Sequence, residues 1–121
     1  IDMGKKGFKD LIVWQKAKDL AILVYKISGD DALSRDYGLK DQIRRSAVSI
    51  ASNIAEGDER DTDKESVRFF YIAKGSLAEL RTQIQIAYEI GYLDEKIFEG
   101  IEAKSVEPGK MIGGLIKYRQ K

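Results

Sequence analysis

Residues 42–57 read QIRRSAVSIASNIAEG, and the spacing of the apolar residues in this stretch decides the fold. Ile43, Ala47, Ile50 and Ile54 recur at three- and four-residue steps, which is helical periodicity rather than the alternation of a strand. At 100° per residue they fall within roughly 60° of one another, forming a core-facing seam. Val48, Ala51 and Ala55 make a second apolar strip centred roughly 100° away, so the combined arc spans roughly 160°. A helix that only covers a core needs about 100°. Gln42, Arg45, Ser49, Ser52, Asn53 and Glu56 take the remaining side, and only Arg45 and Glu56 of these carry charge.

The same periodicity extends in both directions. Val13, Ala17, Leu20, Val24 and Ile27 predict a helix over about 9–28, with Trp14, Ala21 and Tyr25 on its adjoining side and Gly29 as a left-handed stop. Residues 30–36 read as a short polar connection. The second helix then covers about 37–56, with Gly57 as its C-cap. Thr62 followed by Glu65 is a capping box for the third helix, which Val67, Phe70, Ala73, Leu77, Leu80, Ile84 and Ala87 stripe as far as about Ile90. Gly91, Tyr92 and Leu93 suit a Schellman ending. Asp94 is the expected N-cap of the fourth helix, whose apolar face begins at Ile97, Phe98 and Ile101 and resumes at Met111, Ile112, Leu115 and Ile116. Pro108 interrupts it, and a mid-helix proline costs about 3 kcal/mol, so a kink or break is expected there. Short connections make successive helices antiparallel neighbours. The expected fold is all-α: an antiparallel up-down-up-down four-helix bundle, one domain over 1–121 with 1–8 flexible.

Composition narrows the function. The chain contains neither cysteine nor histidine, which removes disulfides, thiolate chemistry, the usual near-neutral acid/base and most zinc or copper sites. No enzyme, cofactor or metal is expected. Asp61 and Asp63 lie in DERDTDKES, which lacks the glycine and distal glutamate of a calcium loop. Capping accounts for them better. Twenty-one basic residues against 20 acidic ones leave a net charge of +1, without the general signature of a polyanion binder. No apolar run approaches the roughly 18 residues that would suggest a membrane span, and the N-terminal IDMGKKGFKD has no apolar signal-peptide core. A cytoplasmic protein with no membrane partner is expected.

Two readings of helix two follow. In one, its small residues simply let neighbouring helices pack closely. In the other, Val48, Ala51 and Ala55 meet another subunit while the Ser/Asn side is partly buried and hydrogen-bonded. Ser and Asn weaken helices by several tenths of a kcal/mol, whereas burial returns one hydrogen bond per satisfied group; the second reading is preferred. Asn53, Glu56 and Glu79 are then structural polar residues, and Arg45 lies within about a turn of Gly75–Glu79, which suggests an Arg45–Glu79 ion pair. AKGSLAEL places Gly75 where a backbone can approach closely. The alternative function is RNA or DNA binding, through Lys5, Lys6, Lys9, Arg44, Arg45, Arg60, Arg68 and the tail carrying Lys117, Arg119 and Lys121. From Pro108 onward the chain has no acid, and this basic tail is expected beside Asp58, Glu59 and Asp61. Another protein is a further candidate partner.

QIRRSAVSIASNIAEG, Arg60, the pair Phe69–Phe70, IAKGSLAEL, Gln83 and EIGYL together resemble the four-helix-bundle family encoded in bacterial 23S rRNA intervening sequences. The resemblance runs from WQKA near Trp14 to MIGGLI near Met111, and its SIASNIAEG and GSLAEL blocks are specific in order and spacing. It implies a bacterial bundle that assembles as a ring-like homopentamer with no established enzymatic activity. That family is in turn similar to the accessory variability protein of diversity-generating retroelements, a basic pentamer that binds reverse transcriptase and nucleic acid. Pro108 and the near-neutral charge depart from these patterns.

Overall fold

The structure, a computed structural model, describes residues 7–121; Lys5 and Lys6 lie outside them. A 3-10 turn over Gly7–Asp10 precedes α1 (Ile12–Ile27), α2 (Asp31–Arg35), α3 (Tyr37–Asp58), α4 (Asp63–Glu89) and α5 (Glu95–Arg119). No strand occurs among the described residues. Gly7 and Phe8, assigned above to a flexible terminus, belong to that 3-10 turn, and the Phe8 ring meets Trp14 edge-on at 5.3 Å.

The apolar stripes face one shared core. Val13, Ala17, Leu20 and Val24 of α1, the Ile43/Ala47/Ile50/Ile54 seam of α3, and Phe70, Ala73, Leu77, Leu80, Ile84 and Ala87 of α4 are all buried, with Ile101, Ile112 and Ile116 from α5. Full burial of each large side chain contributes about 1.5–3 kcal/mol. Ile27 and Val67 pack at its margin. Helix α1 packs on α3 and α5, and α4 packs on the same two. Contacts from Asp36 to Tyr92, Ser49 to Ser76 and Gly57 to Ser66 show α3 and α4 running in opposite directions. Arg81 with Glu102 and Ser66 with Arg119 show the same for α4 and α5.

The helix ends follow capping chemistry, with some departures. Asp94 accepts the Ile97 N–H at 2.8 Å and Thr62 accepts that of Glu65 at 3.2 Å. The reciprocal half of the Thr62 box is not made, since the Glu65 carboxylate turns to Arg68 at 3.7 Å. Helix α4 closes in a Schellman motif: Gly91 takes φ 91°, the Tyr92 N–H donates to Ala87 O and the Gly91 N–H to Tyr88 O. The Asp36 carboxylate caps α3 through the Leu39 N–H and accepts the Tyr92 hydroxyl at 3.0 Å, joining the start of α3 to this turn. That hydrogen bond, then partial burial and the carboxylate charge, raise the Tyr92 phenol above its ordinary value.

Four expectations need correction. The polar connection after α1 contains a short helix, α2, because buried Leu33 pins it to the core. The left-handed residue of that connection is Asp31 (φ 60°), not Gly29; aspartate tolerates this region better than most residues. Gly57 does not cap α3 but lies buried inside it, and Glu59 is the C-cap. The break at Pro108 does not occur: α5 is helical from Glu95 to Arg119. Proline deprives the Lys104 carbonyl of its partner, but Lys104 is on the exposed side of α5, within reach of solvent, while the Pro108 ring is fully buried in the core.

Candidate functional site

The second apolar strip of α3 is not enclosed by the chain. Val48, Ala51 and Ala55, with Ser52, form one wall of an open groove of about 550 Å³ whose other wall is Phe8, Trp14, Ala21, Ile22 and Tyr25 from the N-terminal turn and α1. Val48 keeps 42% of its surface exposed, and Ile22 and Tyr25 each keep 46%. The arrangement arises because α1 and α3 both carry apolar arcs wider than their core seams, and the surplus flanks meet at the surface. The sequence reading found the α3 wall; the α1 wall was signalled by Trp14, Ala21 and Tyr25 on one side of that helix.

The groove is polarised. Glu56 and Glu59 border it near Phe8 and Ala55, whereas Lys26 lines it at the α1 C-terminus; Lys18 lies midway, its ammonium 5.9 Å from the Trp14 ring centroid. At this second end the Arg44 guanidinium lies 4.4 Å from the Tyr25 ring centroid and donates to Ser28 Oγ at 2.8 Å and Tyr25 O at 3.2 Å.

Of the Ser/Asn side of α3, Ser49 faces α4 within the same chain, whereas Ser52 borders the groove. Ser49 and buried Ser76 share a hydrogen bond of 2.9 Å, and Asn53 Nδ2 donates to both Ser49 O and Ser49 Oγ at 2.9 Å. Both of these Asn53 hydrogen bonds lie within α3. Glu56 pairs with Arg60. Glu79 is exposed and makes no ion pair with another described residue. The expected Arg45–Glu79 pair is absent: Arg45 turns to Asp41 at 3.7 Å, one helical turn away on its own helix, because an exposed pair across two helices gains nothing over that local one. Gly75 has nothing within 4 Å of where a Cβ would stand, so no neighbouring element of the chain approaches it closely.

Of the candidate nucleic-acid cations, Arg60, Arg68 and Arg119 come together at the α3–α4 loop end of the bundle, and several are engaged internally. Arg60 and Arg68 sit over the Phe69 ring at 4.5 and 5.2 Å. Arg119 reaches Asp58 at 3.5 Å, Asp63 at 3.6 Å and Ser66 Oγ at 3.1 Å, so the basic tail does meet the acidic loop, with Asp63 taking the place expected of Asp61. Arg45, Lys9 and Lys117 are exposed. Among the described residues no group of three or more acids is arranged to hold a metal ion, and no helix is long and apolar enough to cross a membrane.

Comparison with known proteins agrees with this architecture. One solved structure, a crystal structure of a protein of unknown function from the S23 ribosomal protein family of Bacteroides thetaiotaomicron, superposes with a TM-score of 0.80 at 23% identity, covering 88% of this chain and 99% of that one. No curated protein matches. Residues 9–114 match the family described as 23S rRNA-intervening sequence protein. With nearly its whole length matched, this chain belongs to the 23S rRNA-intervening sequence protein family.

Proposed function

We propose that this protein is a non-enzymatic interaction module: an up-down-up-down four-helix bundle that self-assembles into a ring, most simply a homopentamer, by burying the α1–α3 groove. The groove carries this reading. Its walls are apolar, it is open along the molecular surface, and it leaves Ile22, Tyr25 and Val48 half exposed. Covering each such side chain recovers about 1 kcal/mol, and contiguous patches of this kind mark interaction surfaces. A single heterologous contact repeated by rotation closes a ring and leaves no copy with an open groove. The family resemblance in SIASNIAEG and GSLAEL supports five copies. The lack of histidine and cysteine supports a role without catalysis.

Nucleic-acid binding is the second reading, favoured by the acid-free stretch after Pro108 with exposed Lys110, Lys117 and Lys121. It is the weaker one, because Arg44, Arg60 and Arg119 are held by contacts within the chain and phosphate recognition needs clustered free cations. Sedimentation velocity at micromolar concentration tests the first reading. A multiple of the 13.7 kDa chain mass is expected, with Ala51→Glu reducing it to monomer. A wild-type monomer at that concentration contradicts it.

A further inference from the structure

The α1–α3 groove has a matching ridge on the same chain. Ile72, Gly75, Glu79 and Ile86 of α4 are exposed and lie along one line of that helix at three-, four- and seven-residue steps. Ile72 and Ile86 keep 42% and 47% exposure. Gly75 at its middle is unexplained within the chain. It occupies a helix interior, where glycine costs about 1 kcal/mol relative to alanine, yet no atom lies within 4 Å of the missing Cβ. Two opposite charges also lack ion-pair partners among the described residues: Glu79 on the ridge, and Arg44 at the cationic end of the groove.

We propose that α4 of a second copy fills the groove, with Val48 seated over the second copy's Gly75. The proposal rests on the self-assembly reading above and names the surface that completes it. Placing Val48 on Gly75, with α4 running counter to α3, fixes every other pairing. Three residues away on both helices, Ala51 meets Ile72. Four residues the other way, about 6 Å along each axis, Arg44 meets Glu79, so the two unpaired charges neutralise each other. Near the opposite end Arg68 comes beside Glu56 and Glu59. The reversed alternative, with α4 parallel to α3, places Arg68 opposite Asp41 but sets Arg44 against Tyr71 and Glu79 against Ser52, so neither of the two unpaired charges finds its counterpart. The favoured direction is also the sense in which α4 runs against α3 within one chain. A rotation axis parallel to the helices would preserve that sense, and one such contact repeated by a closing rotation makes a ring.

Cysteine cross-linking tests this, and a chain without native cysteine makes the experiment clean. Val48→Cys and Gly75→Cys variants of the full chain are prepared separately, mixed, dissociated by dilution, reconcentrated and oxidised. A disulfide-linked pair of chains is expected in the mixture and in neither variant alone, and Glu79→Lys is expected to weaken assembly about tenfold. Linking of Val48→Cys to itself, or an oligomer that gives no linked pair in the mixture and is indifferent to Glu79→Lys, overturns this pairing while leaving self-assembly standing. A wild-type chain that sediments as a monomer overturns both.

Discussion

At Gly57 two effects of known sign oppose each other. A glycine inside a helix gives up about 1 kcal/mol relative to alanine. Against this, an added Cβ would stand 2.5 Å from Phe70 Cε1 and 3.0 Å from Ser66 O, and overpacking of a filled core costs about 1–3 kcal/mol. The missing side chain is what lets α3 and α4 close so tightly that Ser66 Oγ donates to Gly57 O at 2.6 Å. Gly57→Ala is therefore expected to lose about 1–2 kcal/mol in urea denaturation. Gly100→Ala, on an open face of α5 with nothing within 4 Å, is expected to gain up to about 1 kcal/mol. Equal gains at both positions would show that the helices do not close on Gly57.

Pro108 poses the corresponding problem for an element. Its ring is fully buried, so Pro108→Ala loses some packing but restores one backbone hydrogen bond and removes the clash with the preceding turn. Since an interior proline costs about 3 kcal/mol, the variant is expected to be more stable by about 1–2 kcal/mol in the same urea measurement, and a destabilised variant would mean that ring packing dominates. The sequence carried no signal for this continuity, because tolerance of a proline depends on what surrounds it: solvent within reach of the Lys104 carbonyl and apolar neighbours around the ring. The Asp94 and Gly91 ends were legible because caps are local chemistry, and the α3 seam was legible because periodicity is local geometry. Gly57 reads as a cap for the same reason, glycine being the usual residue there, and only its contact with Phe70 on another helix reveals its place. At the candidate site, the surplus flank of α3 pointed to the groove, whereas the engagement of Arg44 with Tyr25 and of Arg119 with Asp58 depends on how the helices pack.

At the scale of the whole molecule, the four long helices shelter one core completely and leave the flanks of α1 and α3 facing water. Trp14, the only tryptophan of the chain, lines that groove and is half-buried in the isolated chain. Its emission reports directly on whether the groove is covered. Followed by fluorescence and acrylamide quenching alongside light scattering, dilution is expected to shift Trp14 emission to the red and raise its quenching as the scattering mass falls to 13.7 kDa. Emission and quenching that stay constant while the mass falls would mean that copies meet elsewhere and that the groove stays open to water in the assembled protein.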